Sequence, residues 1–180
     1  MTEPDTRVVY LGLVALVALQ RLLEVVVSAR NRRRMLALGG REWGRGHYPV
    51  MVVLHTAFLA ACAAEVWLLG RPFLPLLAAL MAVVLASATL LRYWTLATLG
   101  ERWCTRVVTL PGEIPVTRGP YRWMRHPNYV AVAAEMLALP LLHGAWMTAA
   151  CFSLANGLLL AHRIRVEERA MAPDAGGAEP

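Results

Sequence analysis

The sequence predicts an all-α, polytopic integral membrane protein with about five transmembrane helices, the last two forming a C-terminal helical hairpin. Three observations carry this. Of the 180 residues, 58% are hydrophobic, against roughly 45–50% in soluble domains, and the mean hydropathy is +0.48. The excess is gathered into runs of bilayer-spanning length that hold few charges. The arginines collect between runs: segments 30–48 and 92–127 hold six each, the turn at 70–72 one, and the turn at 143–144 none. The length suits one membrane domain over residues 1–172, with its motif-bearing core at 100–171. The tail 173–180 is low in complexity and expected to be disordered.

Each element follows in order. The first apolar run spans about Val8 to Ala29, and Arg21 and Glu24 interrupt it three residues apart, on one helix face. They form an internal ion pair or line an internal cavity. Arg30 to Arg34 mark a cytoplasmic loop by the positive-inside rule and suit anionic head groups. Pro49 opens the second run, about Val50 to Leu69, which carries His55 and Glu65. The third run covers about Phe73 to Leu91, continues as helix towards Thr98, and exits through Arg92, Tyr93 and Trp94, an interface anchor in composition. Gly100 to Pro127 reads as a polar loop with five arginines. Two shorter runs, about Asn128 to Leu142 and Ala145 to His162, are joined by His143-Gly144 and read as the hairpin. No strand pattern is visible. Both arginine-rich segments are expected in the cytoplasm, with the N-terminus outside and the C-terminus inside.

Composition narrows the function classes. The net charge is +6, and all the basic residues are arginine. They lie where membrane topology explains them, so the charge is no argument for nucleic acid. Cys62, Cys104 and Cys151 have neither zinc-ligand spacing nor the pattern of a disulfide framework. Glu3 and Asp5 precede the first run, where a cleavable signal peptide would carry positive charge. The glycines at 39, 40, 44 and 46 have no preceding strand and do not read as a phosphate loop.

The segment Arg118-Gly119-Pro120-Tyr121-Arg122-Trp123-Met124-Arg125-His126-Pro127-Asn128-Tyr129 is the most informative in the chain. A polar, aromatic stretch between apolar runs belongs at a membrane surface or in a protein-walled cavity. His126 and Tyr129 enter the first hairpin helix, and Arg163, Glu167 and Glu168 leave the second, so the two ends meet. His126-Pro127 sets an extended step before a helix start, whose free N–H groups favour anions. Each residue has a plainer alternative. His126 could be a capping histidine. Tyr121 and Tyr129 could be belt aromatics. Glu167 and Glu168 could be a solvated helix end. Asn156, inside an apolar helix, is either helix–helix glue or a ligand contact. His47 lies at the inner mouth. His55, Glu65 and Glu135 are intramembrane polar groups, and hence site candidates or internally bonded.

Gly119-Pro120-Tyr121, Arg125-His126-Pro127-x-Tyr129, Asn156 and Glu167-Glu168-x-x-Met171 together resemble the C-terminal core of the isoprenylcysteine carboxyl methyltransferase family over about residues 100–171. Phospholipid N-methyltransferases look similar there, and so does the C-terminal segment of the much longer NADPH-dependent membrane sterol reductases. Met171 stands where the family usually has Leu, and Ala131 where many relatives have Gly. Gln20-Arg21-x-x-Glu24, Arg30-Asn31, Gly46-His47-Tyr48-Pro49, His55 and Glu65 resemble a bacterial branch whose members neighbour type III polyketide synthases and methylate alkylpyrones or alkylresorcinols.

The resemblance implies an integral enzyme of the bacterial inner membrane that uses S-adenosyl-L-methionine to methylate a lipid-like acceptor on a carboxyl or hydroxyl oxygen. It implies a cofactor site of Tyr121, Arg125, His126, Pro127, Tyr129, Asn156, Glu167 and Glu168 at the cytoplasmic face. Arg163 and Glu167 are expected in catalysis, with His47 or His55 helping a neutral hydroxyl lose its proton. The chemistry of the residue types agrees. A sulfonium is favoured near carboxylates and aromatic faces. The amino-acid end of such a cofactor suits Glu and Arg, and adenine suits an apolar slot. A non-enzymatic scaffold or channel would instead repeat polar faces along several helices, whereas polarity here gathers at one end.

Overall fold

The computed structural model describes residues 5–44, 46–112 and 114–171. The disorder expected of the tail 173–180 falls outside them. Among the described residues are five α-helices: α1 (Thr6–Ala37), α2 (His47–Leu68), α3 (Pro75–Leu99), α4 (Pro127–Leu141) and α5 (Trp146–Ala170). Three are long and apolar enough to cross a membrane: Thr6–Ala37, His47–Leu68 and Pro75–Arg102, the last taking in a 3-10 turn after α3.

The helices begin where backbone chemistry lets them. Asp5 caps α1 by accepting from the Arg7 N–H at 3.0 Å. Pro75 and Pro127 open α3 and α4, where a missing N–H costs nothing. Gly144, at φ +65°, turns the hairpin with its backbone against Pro72; an added Cβ would sit 2.8 Å from the Pro72 carbonyl oxygen. The hairpin tip reaches the far end of the molecule. His143 is hydrogen-bonded with Thr6 Oγ1 at 3.2 Å, and its ring lies 5.5 Å from Tyr10 and 5.6 Å from Phe73. It is therefore level with the start of α1 and the α2–α3 turn.

Polarity is arranged inside out, as lipid requires. On α1 the buried face carries Glu24, Ser28 and Asn31, while Leu22 and Val26 are 65% and 68% exposed. In water such apolar exposure would be a liability; against acyl chains it is the favoured surface. An apolar cluster of Tyr10, Val14, Phe58, Cys62, Val66, Met136, Leu139 and Ala145 fills the centre nearer the hairpin tip.

Three expectations are corrected. The arginines from Arg30 to Arg34 are helical, because α1 runs unbroken to Ala37; arginine is a good helix former, and these side chains project from the bilayer end of the helix. The absence of strands does not hold. The strand β1 (Arg41–Trp43) pairs antiparallel with β2 (Val107–Thr109), Arg41 opposite Thr109. Each is only three residues long, too short to leave a periodic signal. This pair joins both arginine-rich segments at one end of the molecule. Finally, Arg92 is no interface anchor: it is buried, while its neighbours Tyr93 and Trp94 are exposed.

Candidate active site

The start of α4 and the end of α5 meet beside the strand pair. Tyr129 donates its hydroxyl hydrogen to Glu167 Oε2 at 2.6 Å and accepts from Arg163 Nε at 2.8 Å. Arg163 and Glu167 are four apart on α5, so one helix face presents both to the same phenol. The other arms of Arg163 donate to Met51 Sδ at 2.8 Å and to the carbonyl oxygen of Thr105. His126 stacks flat on Tyr129, with centroids 5.2 Å apart and planes 7° from parallel. Its Nδ1 lies 3.6 Å from Glu167 Oε2.

A cavity of about 1190 Å³ opens here. Its polar wall includes Tyr121, Arg125, His126, Tyr129, Arg163, Glu167 and Glu168, with Arg41, Arg102, Arg106 and Asn128 also at the lining. Its apolar wall is Leu99, Trp103, Val107, Val108, Leu110, Ile114 and Val116. Tyr121 is reached through a 3-10 turn (Gly119–Arg122) that docks on α3. Gly119 has φ +59°, and an added Cβ would overlap the Thr98 side chain, so glycine is required there. Burial, with the nearby negative charge of Glu167 second, pushes the Tyr121 phenol up to about 12. It therefore remains a hydrogen-bond donor at neutral pH.

The remaining sequence candidates do not line this cavity. Pro127 is buried as the first residue of α4 and acts through the backbone. His47 is 8% exposed and edge-to-face with His162 at 5.8 Å. His55 Nδ1 donates to the Met51 carbonyl oxygen at 2.8 Å, one turn earlier on its own helix, which leaves Nε2 with a lone pair. Asn156 is 1% exposed, and its Oδ1 is buried with no hydrogen-bond partner.

Sequence reasoning missed the supports. Ser28 Oγ lies 2.8 Å from Thr105 Oγ1 and accepts from the Thr105 N–H at 2.9 Å. Asn31 Nδ2 donates to the Trp103 carbonyl oxygen at 2.9 Å. These bonds hold the loop that bears the apolar wall. The polar stripe Glu24, Ser28, Asn31 along α1, at helical spacing, was the signal. On the strand pair, Glu42 accepts from Arg32 Nε at 2.9 Å and Arg106 Nη1 at 2.6 Å. Burial alone would raise the Glu42 carboxyl, but Arg32 and Arg106 outweigh it and hold it below the usual carboxylate range.

Two further charged clusters lie away from the cavity. Arg21 and Glu24 are ion-paired with each other at 2.6 Å and join Glu135 and Arg92. Neither lines the cavity. At the hairpin tip, Glu65 accepts from Arg71 Nε and from the backbone and side chain of Thr148.

A helical membrane bundle with an amphipathic cavity at one end, bounded by carboxylates, aromatic rings and arginines, has the form of a small-molecule site in a membrane protein. The comparisons narrow this. Residues 78–173, more than half of the chain, match the isoprenylcysteine carboxyl methyltransferase (ICMT) family. The chain belongs to that family of integral-membrane methyltransferases. YpbQ of Bacillus subtilis (strain 168), itself uncharacterized, is 38% identical over 159 residues, covering 88% of this chain and 94% of its own. An uncharacterized Haemophilus influenzae protein is 27% identical over 154 residues, covering 84% and 88%.

Proposed function

We propose that this chain transfers a methyl group from S-adenosylmethionine to an oxygen on the polar head of a lipid-like acceptor. The observation that carries the reading is the convergence of His126, Tyr129, Arg163 and Glu167 from the two hairpin ends onto one cavity. The donor set fits the cofactor. Glu167 and Glu168 are carboxylates for a sulfonium and an ammonium. The rings of Tyr121 and His126 offer faces, Arg125 offers a partner for a carboxylate, and the apolar wall offers a slot for adenine. When bound, the cofactor supplies an electrophilic methyl whose C–S bond breaks as the acceptor's C–O bond forms.

The residues then have separate tasks. Methyl transfer needs reactants held in line at near-attack distance with water excluded. Arg163 and Glu167 fix the Tyr129 hydroxyl between them, so the phenol has one orientation. His126 covers the face of Tyr129 and stands at the α4 entrance. A carboxylate or enolate acceptor needs no base. For a neutral hydroxyl, His55 Nε2 or His47 takes the proton, with the acceptor approaching from the membrane side. Asn156 Oδ1, buried without a partner, is suited to accept from a ligand hydroxyl or amine.

The positive-inside rule places the cavity, the strand pair and the C-terminus in the cytoplasm. The bilayer is the inner membrane of a bacterium, crossed five times by a single domain over residues 1–172. The α4 helix alone rises only about 22 Å, but the hairpin tip is level with the outer end of α1. The acceptor's chain comes from the bilayer and its head meets the cavity.

The experiment is an assay of purified protein with labelled S-adenosylmethionine and lipid extracts, alkylpyrones and alkylresorcinols alongside prenylcysteine. The methylated product is identified by mass. An O-methylated lipid is the expected result. An N-methylated phospholipid moves the chain to that reaction class, and NADPH binding without S-adenosylhomocysteine binding overturns methyl transfer.

A further inference from the structure

Glu135, six residues beyond Tyr129 on α4, is buried in the middle of the bundle and takes no part in the cavity. It accepts from Arg21 Nη2 with both oxygens, at 2.7 and 2.8 Å, and lies 3.4 Å from Arg92 Nη1. Glu24 completes the set, 2.6 Å from Arg21 and 2.7 Å from Arg92. Each arginine bridges both glutamates, and the cluster is neutral. With its charges balanced and its members outside the cavity lining, it is not part of the site described above. As a source of stability it is also a poor choice, since apolar side chains of equal volume hold helices together as well or better. What ion pairs supply is direction. In a low-dielectric interior, a slide of one helix that breaks these pairs leaves buried charges uncompensated and is disfavoured.

The register matters because α1 and α4 are tied a second time, at the site. The Oγ of Ser28, one turn beyond Glu24 on α1, holds both the hydroxyl and the N–H of Thr105. The Thr105 carbonyl oxygen holds Arg163, and Arg163 holds Tyr129 on α4. The bonds form a closed ring: Glu135, Arg21 and Glu24, Ser28, Thr105, Arg163, Tyr129, and back along α4. The α1 helix packs closely on α2 and the β2 strand; towards α4 and α3 it shares the apolar cluster of Tyr10 and Val14 with Met136 and Leu139, and its polar ties are Arg21 to Glu135 and Glu24 to Arg92. A slip of α4 by one residue moves it about 1.5 Å. A hydrogen bond of 2.6 Å between two oxygens, such as that from Tyr129 to Glu167, has about 0.4 Å of slack before it leaves the normal range.

We infer that Glu135, through the ion-pair cluster with Arg21, Glu24 and Arg92, is a positioning residue for the methyl-transfer site. It sets the height of α4 so that Tyr129 sits between Arg163 and Glu167. The inference rests on the proposed cofactor site.

The test is calorimetric titration of S-adenosylhomocysteine into the full-length protein in detergent. Glu135→Gln is isosteric and removes one charge of the cluster. Affinity should weaken about tenfold, Arg21→Gln should do the same, and the double variant should be no worse than either, because the pair acts as one link. Glu65→Gln is the control: another buried, ion-paired carboxylate, but at the far end of the hairpin. Its affinity should stay within about twofold of wild type. If Glu135→Gln cannot be purified folded, Ser28→Ala opens the ring at its other tie and should weaken binding about threefold.

Wild-type affinity in Glu135→Gln, or in Ser28→Ala where that variant stands in, overturns the inference alone. An equal loss in Glu65→Gln does so too, since it would reduce the effect to general loosening. No binding by the wild type overturns the cofactor reading and this inference together.

Discussion

At the outer end of the α4–α5 hairpin, Glu65 accepts four hydrogen bonds: Arg71 Nε at 2.8 Å, the N–H groups of Met147 and Thr148 at 3.2 and 2.7 Å, and Thr148 Oγ1 at 2.6 Å. At the inner end, Glu167 receives the Tyr129 hydroxyl, has His126 3.6 Å away, and faces the cavity. Both are glutamates lying against an end of the same helical pair, Glu65 from α2 and Glu167 from α5 itself, each with arginine and hydroxyl neighbours. A carboxylate has about four lone-pair positions. The outer one is saturated and caps the start of α5. The inner one accepts the Tyr129 hydroxyl and lines the cavity. The difference lies in how far the local bonding is closed, and residue type alone does not reveal it.

Opposite substitutions should separate the two ends. The largest effect is expected from His126→Ala or Glu167→Gln, which should lower methyl transfer by about 10³-fold. Folding and membrane insertion should be retained, as judged by size-exclusion profile and melting temperature in detergent. Glu65→Ala should reverse this pattern. Removing one partner of a buried pair costs about 3–5 kcal/mol, so the melting temperature should fall clearly while S-adenosylhomocysteine affinity, measured where the variant is folded, stays within about twofold of wild type. An unchanged melting temperature in Glu65→Ala, or full activity in His126→Ala, would break the comparison.

Smaller effects sharpen it. Tyr129→Phe keeps the ring stacked on His126 but loses the bonds to Arg163 and Glu167. Cofactor affinity should weaken about tenfold, in line with a hydrogen bond to a charged group, and titration calorimetry measures this. The smallest effect concerns the strand pair. The folded pKa of Glu42 lies below its ordinary value of 4.5. Its contribution to stability is therefore fully present above pH 4.5 and is lost only as the pH falls through the lower folded value. Glu42→Gln should lose on the order of 1 kcal/mol near neutral pH, and the gap between variant and wild type should close in acid. A gap that widens in acid would contradict the assigned sign.

Much of this was legible because lipid simplifies the reading. The runs around Leu16, Val53 and Leu85 can only be helices, since no other open segment satisfies its backbone in a bilayer. His126, Tyr129, Arg163 and Glu167 were found because a short hairpin must bring its ends together. The Glu24–Ser28–Asn31 stripe was visible but not its partners, because Thr105, Trp103 and Arg92 lie far off in sequence. The strands β1 and β2 were illegible: three residues give no period, and their pairing depends on two arginine-rich segments meeting in space. Glu65 and Glu135 looked alike in sequence, each an isolated carboxylate in an apolar run. Only their neighbours divide them, one capping α5 and the other tying α4 to α1 and α3.

The central claim is that the inner ends of α4 and α5 form one methyl-donor site. Ultraviolet cross-linking of radiolabelled S-adenosylmethionine to the full-length protein in membranes, followed by peptide mapping, tests it most directly. The account predicts label on the segments 118–129 or 163–168, lost when excess S-adenosylhomocysteine competes. Competable label confined to other segments, or no competable label at all, would contradict it.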